Sequence, residues 1–146
     1  MIAVPGWKNL LKRCDHAAIF LKIAGTYTPF AIVKLGGLAG YGLLAAVWAI
    51  ALVGAGAKLL LRASWDRLAI VLYLALGWAV LTVIQPLAQS LPVGALLLLG
   101  LGGGLYSVGV IFHVWDGLPF QKAVWHLFVL AGTACHFGAV TRAVFA

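Results

Sequence analysis

Apolar residues run along this chain in five blocks, at about 15–33, 38–57, 67–84, 93–114 and 123–145. A helix needs about 20 mostly apolar residues to cross a bilayer. Each block meets that length, and none alternates with period two as a barrel strand would. The first is the least apolar, because it carries Lys22. Pro86 closes the third block, and Pro92, Gly117 and Pro119 fall between blocks. The gaps are short, so the pattern predicts an all-α polytopic transmembrane bundle of five antiparallel helices in one domain. Gly100 and Gly104 lie four apart on one face of the fourth block, a spacing that lets a neighbouring helix come close. Gly36 and Gly40 share that spacing, but Gly36 and Gly37 border a turn.

Composition agrees with a chain whose outer surface faces lipid. Only 9% of the 146 residues are charged, against about 25% for a soluble domain. The formal charge of +7 does not point to nucleic acid, because the ten Lys and Arg form no basic stripe. They flank the apolar blocks instead. Seven (Lys8, Lys12, Arg13, Lys58, Arg62, Arg67, Lys122) lie at one predicted face and two (Lys34, Arg142) at the other. The positive-inside rule then places the N-terminus in the cytoplasm and the C-terminus outside a cell inner (plasma) membrane. Trp7, Trp65 and Trp115 fall near the predicted boundaries, where tryptophan anchors a span. Cys14 and Cys135 form no CxxC pair and sit too far apart along the spans for a disulfide. The stretch before the first block lacks the apolar core and cleavage site of a signal peptide.

Ionisable residues in or at the edge of a span cost free energy and mark candidate sites. Asp15 and His16 open the first span, His113 closes the fourth, and Lys122 and His126 open the fifth, sharing a helix face. Asp15, His113, Lys122 and His126 all fall at the cytoplasmic face, within one or two turns of the boundary. A carboxylate and imidazoles at one level suit zinc. The plainer alternative is that such end charges only reach out to the interface. His136 lies ten residues beyond His126, about 15 Å deeper, and is expected to bond a neighbouring helix rather than share a metal. Lys22 is deep enough to need a carbonyl or acidic partner.

Three stretches resemble the hemolysin III family, which belongs with the progestin and adipoQ receptors. They are DHAAIFLKIAGTYTPF (Asp15 to Phe30), YSVGVIFHVW (Tyr106 to Trp115) followed by Leu118-Pro-Phe120, and WHLFVLAGTACHF (Trp125 to Phe137). The resemblance implies a seven-helix fold of which this chain carries helices 3–7, so that Met1 is expected to be an internal start or the chain a fragment. It implies zinc near the cytoplasmic face, held by a second-helix histidine and a seventh-helix HxxxH pair, with the third-helix aspartate reached through water. Asp15 matches that aspartate and His126 the second histidine of the pair. Lys122 stands where the first histidine is expected, and the second-helix ligand has no counterpart. Lys122 is then expected to pair with Asp15 in the space the metal would fill. Three functions are compatible: a pore-forming, cytolytic protein; a zinc-dependent hydrolase of lipid amides, with Asp15 catalytic; or a truncated member with no activity of its own. Each lives in the lipid bilayer, and missing helices favour a homo-oligomer.

Overall fold

The computed structural model describes residues 6–61 and 65–146. Among them there is no strand, and five helices are long and apolar enough to cross a membrane. The first runs from Gly6 to Leu35. Its regular part is α1, Gly6–Pro29, which begins nine residues ahead of the apolar block. Pro29 has no N–H to offer, and beyond it the backbone widens into a π-helical turn, Phe30–Leu35. Gly36 then turns the chain at φ 59°, ψ −173°, a conformation open essentially to glycine alone. Gly37 follows at φ 55° and starts α2, Gly37–Leu60. Gly40 lets the return path come in close. A Cβ there would lie 2.5 Å from the Ala31 carbonyl oxygen.

The third crossing does not stop at Pro86. It is broken earlier and continues later: α3, Asp66–Trp78, then a 3-10 turn, Ala79–Val83, then α4, Ile84–Ser90. The break has a visible cause. The Tyr27 hydroxyl inserts into the ladder, lying 2.8 Å from the Leu76 carbonyl and 2.9 Å from the Gly77 carbonyl, to which it donates. It also accepts the Val80 N–H at 2.8 Å. A side chain that replaces backbone partners is one of the few physical causes of a sharp break in a helix. Pro86 is then tolerated in the first turn of α4, where its missing N–H is least costly.

After Pro92, α5 spans Val93–His113 and α6 spans Gln121–Phe145. The turn between them ends at Phe120, held at φ 58°. The close approach of α5 to α6 is made by Gly102 and Gly109, not by Gly100 and Gly104. A Cβ on Gly102 would lie 3.1 Å from the Gly132 carbonyl, and one on Gly109 2.8 Å from Phe128 Cβ, whereas Gly100 and Gly104 face open space. Two cores result. One, between α1, α2 and α3, is built on Ala17, Phe20, Ala24, Tyr27, Val47 and Leu76. The other, toward the opposite end, gathers Phe30, Leu87, Leu91, Ala95, Ala139 and Ala143.

Candidate functional site

The start of α1, the end of α2 and the start of α3 meet at one face of the bundle. Asp66 is their hub. Its carboxylate accepts from Lys58 Nζ at 2.5 Å and from Lys12 Nζ at 3.2 Å, and His16 Nδ1 lies 3.7 Å away. The Lys58 side chain is only 5% exposed, and its ammonium sits 4.7 Å from the centre of the Trp65 ring. Arg13 completes the joint. Its guanidinium donates to the carbonyls of Lys58 (3.0 Å), Leu59 and Leu61, the unpaired acceptors at the end of α2. Tyr73 of α3 donates to the His16 carbonyl at 2.9 Å. Asp66 stands in the first turn of α3, where a negative charge suits the helix dipole. Arg62, counted among the charges of this face, lies outside the described residues.

Asp66 and Lys58 are absent from the candidates read off the sequence. Both look there like ordinary end-of-span charges, eight residues apart, and only the meeting of the end of α2 with the start of α3 brings them into contact. The expected residues gather more loosely. Asp15, His113, Lys122 and His126 sit at the helix ends of the same side of the bundle as Asp66, at the start of α1, the end of α5 and the start of α6. His113 packs its ring on Trp125, centroids 4.8 Å apart, rather than on Trp115, which stacks on Phe112. His126 is not inside this bundle. It is exposed, because Trp125 and Phe128 occupy the face of α6 that meets Gly109. Asp15 and Lys122 are exposed as well, and every ion pair among the described residues involves Asp66, so Lys122 does not pair with Asp15.

Among the described residues no three of His, Cys, Asp and Glu come together as a metal set. A zinc site of the catalytic kind needs three protein ligands, so these residues alone do not fit one. Lys122 is the most direct place to test the arrangement. Lys122→His would put two imidazoles at i, i+4 on the exposed face of α6, a spacing that suits a shared zinc. Chelator competition on the purified protein is expected to show at least roughly a tenfold gain in zinc affinity over the parent, about 1.4 kcal/mol. No gain would mean that the two positions do not converge.

Deeper in the bundle lies a cavity of about 420 Å³ between α1, α3, α5 and α6. Its walls are mainly leucine, valine, isoleucine and glycine with Trp78 and Trp125, and Lys22, Thr26, Tyr27, Tyr73, Tyr106, Ser107 and His136 are its polar points. Lys22 donates to the Thr133 hydroxyl, and its ammonium lies 5.2 Å from the centre of the Tyr106 ring. The sought partner of Lys22 is therefore a hydroxyl and an aromatic face, not a carboxylate. His136 meets Tyr106 of α5 edge to face at 5.2 Å and lines the same cavity, an aromatic contact in place of the hydrogen bond expected of it.

Comparison with known proteins places this arrangement in a family. Residues 3–137 match the haemolysin-III related family model, and the chain belongs to that family. Over 133 residues it is 44% identical to the hemolysin-3 homolog of Bacillus subtilis (strain 168), covering 91% of this chain and 62% of that protein. Over 136 residues it is 43% identical to hemolysin-3 of Bacillus cereus, covering 93% and 62%. It is 31% identical over 134 residues to the human monocyte to macrophage differentiation factor, covering 88% and 53%. The chain thus spans between about half and two thirds of the length of these relatives. No solved structure matches it.

Proposed function

We propose that this chain forms the lipid-binding core of a multi-pass membrane protein, with the Asp66 face toward the cytoplasm of the cell that makes it. The observation that carries the reading is the cavity. Its volume falls in the range of about 300–1,000 Å³ typical of ligand pockets, and such pockets pair apolar walls with a few placed polar groups. Its position within membrane-spanning helices makes lipid the ligand at hand. The same lining speaks against a water-filled conduit, which needs polar or charged rings along its path.

A pore-forming, cytolytic role is the second reading. It is favoured by two relatives that carry the name hemolysin-3. A hydrolase acting on lipid amides is the third reading, with Asp15 and His126 as its candidate residues. It needs metal donors beyond those that the described residues bring together. The exposed Asp15, Lys122 and His126 support covering of that face by further protein, whether other helices or a second copy.

One preparation separates the first two readings. The protein is reconstituted in liposomes loaded with a self-quenched dye, and its retained lipid is measured by native mass spectrometry after detergent extraction. Lipid binding predicts about one retained lipid per chain, and leakage no greater than from protein-free liposomes. Dye release that scales with protein, with no retained lipid, would sink the lipid-binding reading in favour of the pore.

A further inference from the structure

Helix α1 begins at Gly6, ahead of the first apolar block, and the added residues rise about 13 Å along the axis. That length crosses the headgroup layer, about 5–8 Å on each side of the hydrocarbon. The extension has two sides. Trp7, Leu10, Leu11 and Cys14 stand at i, i+3, i+4 and i+7 and share one of them. All four are exposed. An apolar stripe of this kind on a helix end is suited to the boundary between headgroups and acyl chains, not to water.

The other side is basic and turns toward the bundle. Lys12 and His16, one turn apart, reach Asp66 of α3, and Arg13 reaches the end of α2. Lys8 lies one turn before Lys12 and continues that side past Asp66. Its ammonium rests 5.8 Å from the centre of the Trp7 ring, at the seam between the two sides. Arg67 follows Asp66 in the first turn of α3 and is exposed. Five cations (Lys8, Lys12, Arg13, Lys58, Arg67) thus face two carboxylates (Asp15, Asp66) at this corner. Asp66 already accepts from Lys58 and Lys12. Arg13 donates to backbone carbonyls, which satisfy its hydrogens and leave its charge in place. Neither Lys8 nor Arg67 pairs with an acid among the described residues.

We propose that this corner binds an acidic phospholipid. The acyl chains run along the Trp7, Leu11 and Cys14 side of α1, and the phosphate sits among Lys8, Lys12 and Arg67. Charge complementarity selects the lipid. Phosphatidylcholine brings its own quaternary ammonium, which the same cations repel, whereas phosphatidylglycerol brings net negative charge. Basic pockets beside membrane helices suit such headgroups, and a tryptophan at the same level anchors the helix end. None of these residues lines the deeper cavity, so the site stands independently of what that cavity holds.

The full chain in a nonionic detergent is titrated with phosphatidylglycerol and with phosphatidylcholine of the same acyl chains, and bound lipid is read by native mass spectrometry. The parent is expected to hold its first phosphatidylglycerol at least roughly tenfold more tightly than phosphatidylcholine. Each cation beside a charged lipid surface contributes about fivefold. The double variant Lys8→Gln, Arg67→Gln is therefore expected to lose most of the preference while its affinity for phosphatidylcholine is unchanged, which also shows that it is folded. Lys34→Gln, Arg142→Gln removes the same charge from the opposite face and is expected to keep the preference. Equal affinity for the two lipids in the parent would overturn the proposal. So would a preference that survives Lys8→Gln, Arg67→Gln, or one that Lys34→Gln, Arg142→Gln removes as strongly, since net charge alone would then account for it. Displacement of the lipid by excess inorganic phosphate would overturn the phospholipid as the occupant.

Discussion

Phe20→Ala is expected to lower the unfolding free energy of the protein by about 3 kcal/mol, toward the lower end of the range for burying and then deleting an aromatic ring. Phe20 is fully buried at the centre of the core between α1, α2 and α3. In lipid no water is expelled when helices meet, so the cost is mainly that of lost dispersion contacts. Two are specific. The Phe20 ring meets Tyr73 of α3 edge to face, with centroids 4.6 Å apart. It also lies against the bare backbone of Gly54 in α2, where an added Cβ would come within 2.6 Å of the ring. That contact makes the sign of a second change conditional. Gly54→Leu in the parent overpacks the joint and is expected to cost about 1–3 kcal/mol. In the Phe20→Ala background the new side chain enters the space the ring has left, so the same change is expected to restore stability. Reversible unfolding in mixed micelles gives all four values of the cycle. Simple additivity would show that Phe20 and Gly54 do not meet in the folded protein.

The two helices joined by this contact were legible from the apolar blocks alone, and so were the other three. A bilayer demands length and apolarity, and both are local properties of sequence. Interruptions were less legible. Pro86 reads as a stop, yet the break in the third crossing is set by Tyr27, a residue on another helix. No property local to 79–83 announces it. The glycines show a similar limit. Gly100 and Gly104 have the four-residue spacing of a packing motif, but Gly102 and Gly109, seven apart, share a helix face as well. Which of them meets α6 depends on how α5 is rotated against Trp125, Phe128 and His136. Of the polar cluster around Asp66, the sequence pattern picked out His16 but not the hub. Asp15, His16, His113 and His126 stand out because each adjoins a long apolar run. Asp66 and Lys58 do not, because they border the polar stretch between α2 and α3 and resemble every other end charge. Their significance is tertiary, and it lies in burial and mutual distance.

Asp66→Asn should therefore destabilise the protein more than its place at a helix end suggests, by about 3 kcal/mol. The change keeps the shape and removes the charge. It leaves the Lys58 ammonium, 5% exposed, facing an amide and the Trp65 ring. Removing one member of a buried pair costs about 3–5 kcal/mol, because the other is left charged and unpaired. The Asp66 side chain is 38% exposed, which admits solvent and sets the lower figure. Lys58→Met is the informative contrast. It removes the buried charge and leaves Asp66 still paired with Lys12 at 3.2 Å, so a loss of only about 1 kcal/mol is expected. In the double variant no buried cation remains to be stranded, and Asp66→Asn should then cost far less than it does in the parent. A coupling near zero in that cycle would show that Lys58 and Asp66 do not depend on each other. A large coupling has a consequence beyond stability. Asp66 ties α2 and α3 to Lys12 of α1, one turn from Asp15, so Asp66→Asn should also loosen the polar face at that end of the bundle. Hydrogen exchange at the amides of residues 12–16, faster in Asp66→Asn than in Lys58→Met, would register that loosening.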